Sequence, residues 1–330
     1  MKQRIRGMLV VGLLLIAMSM ISAQPIEEKQ PIKVLVFGMF EVGENMGDFA
    51  GEFQHFYEAY FDGAESYELN SMPLTLYVNE EGVAGAIAGM GKAQAGATLT
   101  TILRDDRFDF SDTYILISGC SGMNPERGTL GDVVIADALV DYELGHAWKE
   151  SDNPKDSDSL FLRSSGYDRS GYIRLNSSLV DWAFGLVQDV PLNDAKAAKE
   201  YRKLYSAEEA LETPAVRRGV SVTGDSYWHG KASSEHADDV CAAYDAGTYM
   251  VTQMEDNAFG VVALNENKLD RLLVIRDVVN YDQPHPGQSV TESLDASSGA
   301  FSIGMENGFA VTNSIIEELL SDWEYYRSAF

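Results

Sequence analysis

The segment Tyr249-Met250-Val251-Thr252-Gln253-Met254-Glu255-Asp256 is an apolar, strand-like run that stops on a Met-Glu pair, and residues 257–264 then read as a helix. A carboxylate at a strand-to-helix junction faces the crevice where open α/β sheets bind their ligands. There Glu255 can accept hydrogen bonds from the vicinal hydroxyls of a sugar, with the Met254 thioether packed on the sugar's apolar face. The competing reading is an acidic residue favoured in a first helical turn by the helix dipole. Three further segments shift the balance. Gly89-Met90-Gly91-Lys92-Ala93-Gln94-Ala95-Gly96 leads from a strand into a helix. Ser118-Gly119-Cys120-Ser121-Gly122-Met123 is a glycine-rich loop between two strands, where Cys120 serves as a small residue permitting close ligand approach. Thr223-Gly224-Asp225-Ser226-Tyr227-Trp228-His229-Gly230 follows the strand of residues 219–222.

These segments need elements to hold them. Residues 32–38 form a fully apolar strand, and residues 74–78 and 83–88 bracket the turn Asn79-Glu80-Glu81-Gly82 as a hairpin. Residues 93–103 have helical spacing, 113–117 and 133–136 read as short buried strands, and 194–211 have helical density. Strand returns at 216–222 and 272–279, and helix at 233–243. Over residues 309–323, Val311, Ile315, Ile316, Leu319 and Leu320 share one face, which predicts a core-packed closing helix. Between residues 147 and 171 the chain turns polar, and its aspartates lack the spacing of a calcium loop, so a solvated surface insertion is expected. Alternation of strand and helix predicts α/β: a single three-layer domain, a central mixed sheet with helices on both faces.

The opening of the chain has Lys2, Arg4 and Arg6, an apolar stretch from Met8 to Ile21, and small residues ending at Ala23. That order predicts a signal peptide over residues 1–23, cleaved to leave 24–330 as the mature domain, periplasmic or secreted. No later segment has the uninterrupted apolar length of a spanning helix. The formal net charge of −26 becomes −29 without the three leader cations, a field that repels nucleic acid, anionic lipid and polyphosphate. Two cysteines, Cys120 and Cys241, are too few for a disulfide framework, and neither has metal-ligand spacing. No cofactor is expected. Gly89-Met90-Gly91 is half of a dinucleotide fingerprint without its third glycine, and Gly224-Asp225-Ser226 with His229 has the wrong placement for a lipase-type nucleophile.

In their order, ahead of Met254-Glu255 and Val274-Ile275-Arg276-Asp277-Val278-Val279-Asn280-Tyr281-Asp282, the motif segments resemble the nucleoside phosphorylase/nucleosidase superfamily. The finer resemblance is to the purine nucleoside permease family. It rests on Met39-Phe40-Glu41, Gly224-Asp225-Ser226-Tyr227-Trp228-His229, Met254-Glu255-Asp256 and Asn280-Tyr281-Asp282-Gln283-Pro284-His285-Pro286-Gly287, and covers residues 31–322. The resemblance implies a nucleoside phosphorylase-like fold and a purine nucleoside ligand. It implies that Met254 and Glu255 hold the ribose and that Tyr227 stacks on the base with Trp228 beside it. Cys120, Ser121 and Gly122 would line the ligand, and Asn280 would hydrogen-bond the purine at N7 or its six-substituent.

Two departures from the superfamily bear on chemistry. Adenosine-type nucleosidases carry an aspartate where this chain has Asn280, and an amide donates a hydrogen bond without giving up a proton. Asp277 and Asp282 are nearby carboxylates that could restore acid function, or could be solvated or capping residues. Phosphorolysis, in turn, needs cationic donors on the phosphate. Residues 37–53 and 119–124 contain no Lys or Arg, and Lys92, Arg127 and Arg276 are the only basic residues near the motifs. Water is therefore the expected nucleophile, with Glu41 or Glu44 as general base, although an ungapped match puts the water-activating glutamate of the nucleosidases on Gly43. The expected activity is N-glycosidic hydrolysis of purine nucleosides. The alternatives are a non-catalytic periplasmic nucleoside-binding component that serves an inner-membrane transporter, and a phosphorylase. A homo-oligomer is compatible with each.

Overall fold

The apolar run Val34–Gly38 forms β1 and is buried at every position, as a strand covered on both faces requires. It belongs to a computed structural model that describes residues 28–69, 73–152 and 159–330. The signal-peptide expectation for residues 1–23, and the start of the mature chain, lie outside the described residues. Residues 31–330 make one compact unit.

The remaining strands of the main sheet are β2 (Glu65–Glu68), β3 (Thr75–Val78), β4 (Val83–Ile87), β5 (Tyr114–Met123), β6 (Val133–Asp141), β7 (Tyr172–Arg174), β8 (Val216–Thr223), β9 (Tyr249–Gln253) and β10 (Leu272–Tyr281). They run in the order β7-β6-β8-β9-β5-β1-β4-β3-β2, and β10 pairs with both β5 and β6. The sheet is mixed. β1 is parallel to β4 and β5, and β5 to β10, whereas β9 meets β5, β10 meets β6, and β3 meets β4 antiparallel. The hairpin expected at residues 79–82 is the β3–β4 turn, where Asn79 Oδ1 accepts the backbone N–H of Glu81 and Val83 at 3.1 and 2.9 Å.

One feature goes beyond the expected layered sheet. Because β10 bridges β5 and β6, the strands β5, β10, β6, β8 and β9 close into a ring. The long strands β5 and β10, ten residues each, bend through it with a register shift between Val278 and Asn280. Their C-terminal halves, carrying Gly119–Met123 and Arg276–Tyr281, thus reach the same rim.

The principal helices are α1 (Lys92–Leu103), α2 (Ser177–Val187), α3 (Lys231–Ala243), α4 (Asp256–Asn265) and α5 (Phe301–Ser321). On β10 the Arg276 side chain meets Asp256 at the start of α4, while Asp277 meets Gly304 and Gly308 of α5. Successive strand residues point to opposite faces, so α4 and α5 cover the two sides of the sheet. The closing helix is longer than expected, beginning at Phe301. It buries Ile303, Met305, Val311, Ile315, Ile316 and Leu319 at helical spacing. In the described part of the polar insertion, His146–Ala147 pairs with Phe161–Leu162 and Asp168–Gly171 makes a helical turn. Among the described residues no helix is long and apolar enough to cross a membrane.

Candidate active site

Glu255 owes its position to its neighbour Gln253. The Gln253 Oε1, at the end of β9, accepts the backbone N–H groups of Glu255 and Asp256, which caps α4 and leaves the Glu255 side chain free to turn inward. Its Oε1 accepts the Gly91 N–H at 2.9 Å and its Oε2 the Arg276 guanidinium at 3.1 Å. Arg276 also binds Asp256 at 2.6 Å, and the Ser221 hydroxyl completes Asp256 at 2.6 Å. Arg276 is 1% exposed, so its charge is tolerable only through these carboxylates. Burial raises the Glu255 carboxyl above its ordinary range, with Arg276 as the main opposing influence.

Glu255 sits on the wall of an open cleft. Met39, Phe40, Met90, Thr252 and Met254 supply its apolar and neutral lining, while Cys120, Ser121 and Gly122 form one side. Tyr227 and Asn280 also line it, the Asn280 amide lying beside Gly122. Of the residues expected at the ligand, Cys120, Ser121, Gly122, Tyr227, Met254, Glu255 and Asn280 thus share one cavity.

The remaining residues are placed elsewhere. Glu41 directs both carboxylate oxygens back onto its own loop, accepting N–H groups from Val42, Gly51, Phe53 and Gln54. Glu44 is exposed and is joined to the loop through its backbone N–H, which donates to Asp48 at 3.0 Å. Neither lines the cleft, so neither is positioned to activate a water there. Trp228 turns away from Tyr227 and stacks on Tyr142 with ring centroids 5.1 Å apart, its indole N–H unpartnered. Its half-buried ring packs against the end of β6 and α3 and does not line the cleft. Asp282 is buried behind the cleft, where one oxygen accepts the Tyr249 hydroxyl at 2.8 Å and the other has no partner.

A second carboxylate, Glu52, reaches the cleft beside Glu255, and the sequence motifs do not include it. It is 6% exposed and lines the cavity. Its oxygens accept the N–H groups of Cys120, at 2.8 Å, and of Met39. Burial raises its carboxyl, with the charge of Arg276 opposing. A Cβ on Gly119 would lie 2.7 Å from Glu52 Oε2 and 2.9 Å from Arg276 Nη1, so this glycine is what lets both groups converge. The signal was present in the sequence: a Gly- and acid-rich excursion after β1, with Glu41, Glu44 and Asp48, returns as Gly51-Glu52-Phe53, directly ahead of the short helix Gln54–Phe56.

Among the described residues near the cleft, the basic side chains are already paired with carboxylates. Lys92 Nζ lies 3.1 Å from Asp141 and 2.7 Å from Glu143, and Arg127 is bound to Asp238 at 2.7 Å. Among the described residues, Arg276 is the one cationic side chain lining the cleft, and it already holds two carboxylates. Cys120 and Cys241 are both free thiols. Burial, then the Glu52 charge, pushes the Cys120 thiol well above its ordinary range, which removes it as a nucleophile.

Comparison with known proteins identifies relatives by sequence and by fold. The chain resembles a probable purine nucleoside permease of Schizosaccharomyces pombe, 25% identical over 322 residues, covering 89% of this chain and 90% of that protein. A purine nucleoside permease of Candida albicans is 27% identical over 258 residues, 72% of this chain but 63% of that protein's length, so this match spans less than two thirds of it. Among solved structures, a Neisseria meningitidis 5′-methylthioadenosine/S-adenosylhomocysteine nucleosidase shares the fold with a TM-score of 0.54 at 17% identity, over 87% of this chain and 99% of that one. The futalosine hydrolase of Helicobacter pylori does so with a TM-score of 0.55 at 16% identity, over 88% and 98%. The profile of the purine nucleoside permease family matches residues 31–330, and the chain belongs to that family.

Proposed function

We propose that this protein binds purine nucleosides in the Glu52–Glu255 cleft and hydrolyses their N-glycosidic bond. The observation that carries this reading is the convergence of two buried carboxylates on one cavity whose single arginine is already neutralised. In the proposed complex, Glu255 accepts the ribose hydroxyls and Tyr227 stacks on the base, with Asn280 offering an amide N–H to it. Water attacks the anomeric carbon as the C1′–N9 bond breaks, and the bonding pair leaves with the purine. Glu52 takes the water's proton, and the departing purine is protonated from solvent. Carboxylates around the sugar favour the positive charge that develops on it. The relatives' permease names support a role in nucleoside uptake, and the basic, apolar, small-residue order of residues 1–23 supports export.

The test is incubation of the protein with inosine, with and without phosphate, and with Glu52→Gln in parallel. Free hypoxanthine and ribose, formed equally in both buffers and lost in the variant, are expected. Ribose 1-phosphate would establish phosphorolysis. Tight nucleoside binding without turnover would leave a carrier.

A further inference from the structure

Tyr227 is 57% exposed and stands on the loop of residues 224–228, so its place at the cleft depends on what holds that loop. Both ends are anchored. Gly224 donates its N–H to the Gln253 carbonyl at 3.0 Å, and Trp228 stacks on Tyr142. Between these points the loop is gripped by one carboxylate from another segment. Glu143, just past the end of β6, accepts the Asp225 N–H on one oxygen and the Ser226 N–H on the other, each at 3.2 Å.

Lys92, the first residue of α1, fixes that carboxylate. Its Nζ donates to Glu143 at 2.7 Å and to Asp141 at 3.1 Å, and it lies 3.9 Å from Asp225. Asp141 accepts the N–H groups of Glu143 and Leu144 at 2.9 and 3.0 Å, which shapes the turn that presents Glu143. Without the ammonium, three neighbouring carboxylates would repel one another. The loop returns the contact. Asp225 Oδ1 accepts the Lys92 backbone N–H at 2.8 Å, serving a helix start whose own N-cap, Gly91, has no side chain to do so. The preceding N–H, that of Gly91, goes to Glu255 at 2.9 Å. Two consecutive N–H groups at the start of α1 therefore hold the carboxylate inside the cleft and the loop that carries Tyr227.

We propose that Glu143 and Lys92 are positioning residues for Tyr227: their ion pair clasps the backbone of residues 225 and 226 to α1 and so sets the ring that stacks on the purine. This rests on the nucleoside reading of the cleft. The clasp joins three segments, at residues 91–92, 141–143 and 225–227, and neither Glu143 nor Lys92 lines the cavity itself.

Two measurements test the proposal. Hydrogen exchange of the ligand-free protein, read at the Asp225 and Ser226 amides, should quicken roughly tenfold in Glu143→Ala, the value of one hydrogen bond, and leave the β8 amides unchanged. Lys92→Met should show the same pattern. By calorimetry, the Kd for inosine should rise roughly 2- to 10-fold in Glu143→Ala, the range one aromatic stack supplies, with kcat little changed. In a Tyr227→Ala background the same substitution should cost nothing further. Unchanged exchange at Asp225 and Ser226 would overturn the clasp, and losses that add in full across the double mutant would overturn its action through Tyr227. Faster exchange in a protein that binds no purine nucleoside would instead reject the nucleoside reading, and the role of the clasp at the base with it.

Discussion

Asp282 offers a direct test of the electrostatics behind the cleft. Its carboxyl is 1% exposed, accepts one hydrogen bond from Tyr249, and leaves the other oxygen unpartnered. Burial pushes it from 3.8 up to about 7, with the Tyr249 bond opposing. The folded value is raised, so the folded state holds its proton after the unfolded chain has lost it. The stability this contributes is fully present below pH 3.8 and is lost as pH rises through about 7. At about 1.36 kcal/mol per unit, the loss across that window is about 4 kcal/mol, an upper limit because the cluster can relax or admit water. Asp282→Asn keeps the size of the side chain and an acceptor for Tyr249 but cannot ionise. Urea unfolding of both proteins at pH 4.5, 6 and 8 provides the assay. The variant should gain on the wild type steadily as pH rises, by roughly 2–4 kcal/mol between the extremes. A stability difference that stays flat with pH would show that Asp282 is ionised and solvated in the folded protein, and the argument from its unpartnered oxygen would fail.

Four further outcomes are expected. Glu255→Ala should weaken nucleoside binding by roughly 1.5–3 kcal/mol, the value of a charge-assisted hydrogen bond, and 2′-deoxynucleosides should then bind as well as ribonucleosides in calorimetry. Tyr227→Ala should cost about 0.5–1.5 kcal/mol of purine affinity beyond lost area, and uridine should bind poorly to the wild type throughout. Glu44→Gln should leave turnover unchanged in a hypoxanthine-release assay, because that side chain does not line the cleft. Gly119→Ala should depress turnover more than stability, since its new Cβ collides with Glu52 and Arg276; thermal melting beside kinetics separates the two.

The α/β alternation, the β3–β4 hairpin and most of the cleft were legible in the sequence because each is local. A buried strand is an apolar run, a turn carries its Asn and Gly, and the Met254-Glu255 pair sits beside the residue that caps its helix. What the sequence hid was long-range. The ring of β5, β10, β6, β8 and β9 closes through pairings between strands far apart in the chain, which no periodicity records. Trp228 follows Tyr227, and nothing local says that one lines the cleft and the other stacks on the Tyr142 ring. Glu52 was missed for a related reason. The excursion of residues 41–51 is long enough to carry the chain out and back, and the Glu52 N–H rejoins it to the Phe40 carbonyl at 3.1 Å. A carboxylate twelve residues beyond Phe40 therefore arrives beside it, while Glu41, nearer in sequence, is consumed in holding the excursion closed.

That arrangement bears on the choice of nucleophile. The cleft gathers Glu52 and Glu255 around a guanidinium that is also bound to Asp256, within a chain of formal net charge −26. Such a field opposes an incoming phosphate at every distance, first through the whole protein and then through the lining carboxylates. The same field favours a neutral nucleoside whose sugar becomes cationic as the glycosidic bond stretches, since preorganised negative charge acts most strongly on charge that develops in the transition state. Supplying a phosphate site here would require uncommitted cations. Lys92 and Arg127, the nearest others by sequence motif, are fixed on Asp141, Glu143 and Asp238. Converting this site to phosphorolysis would thus demand new arginines in the Phe40 and Cys120 segments, whereas hydrolysis needs only a water held between Glu52 and the anomeric carbon.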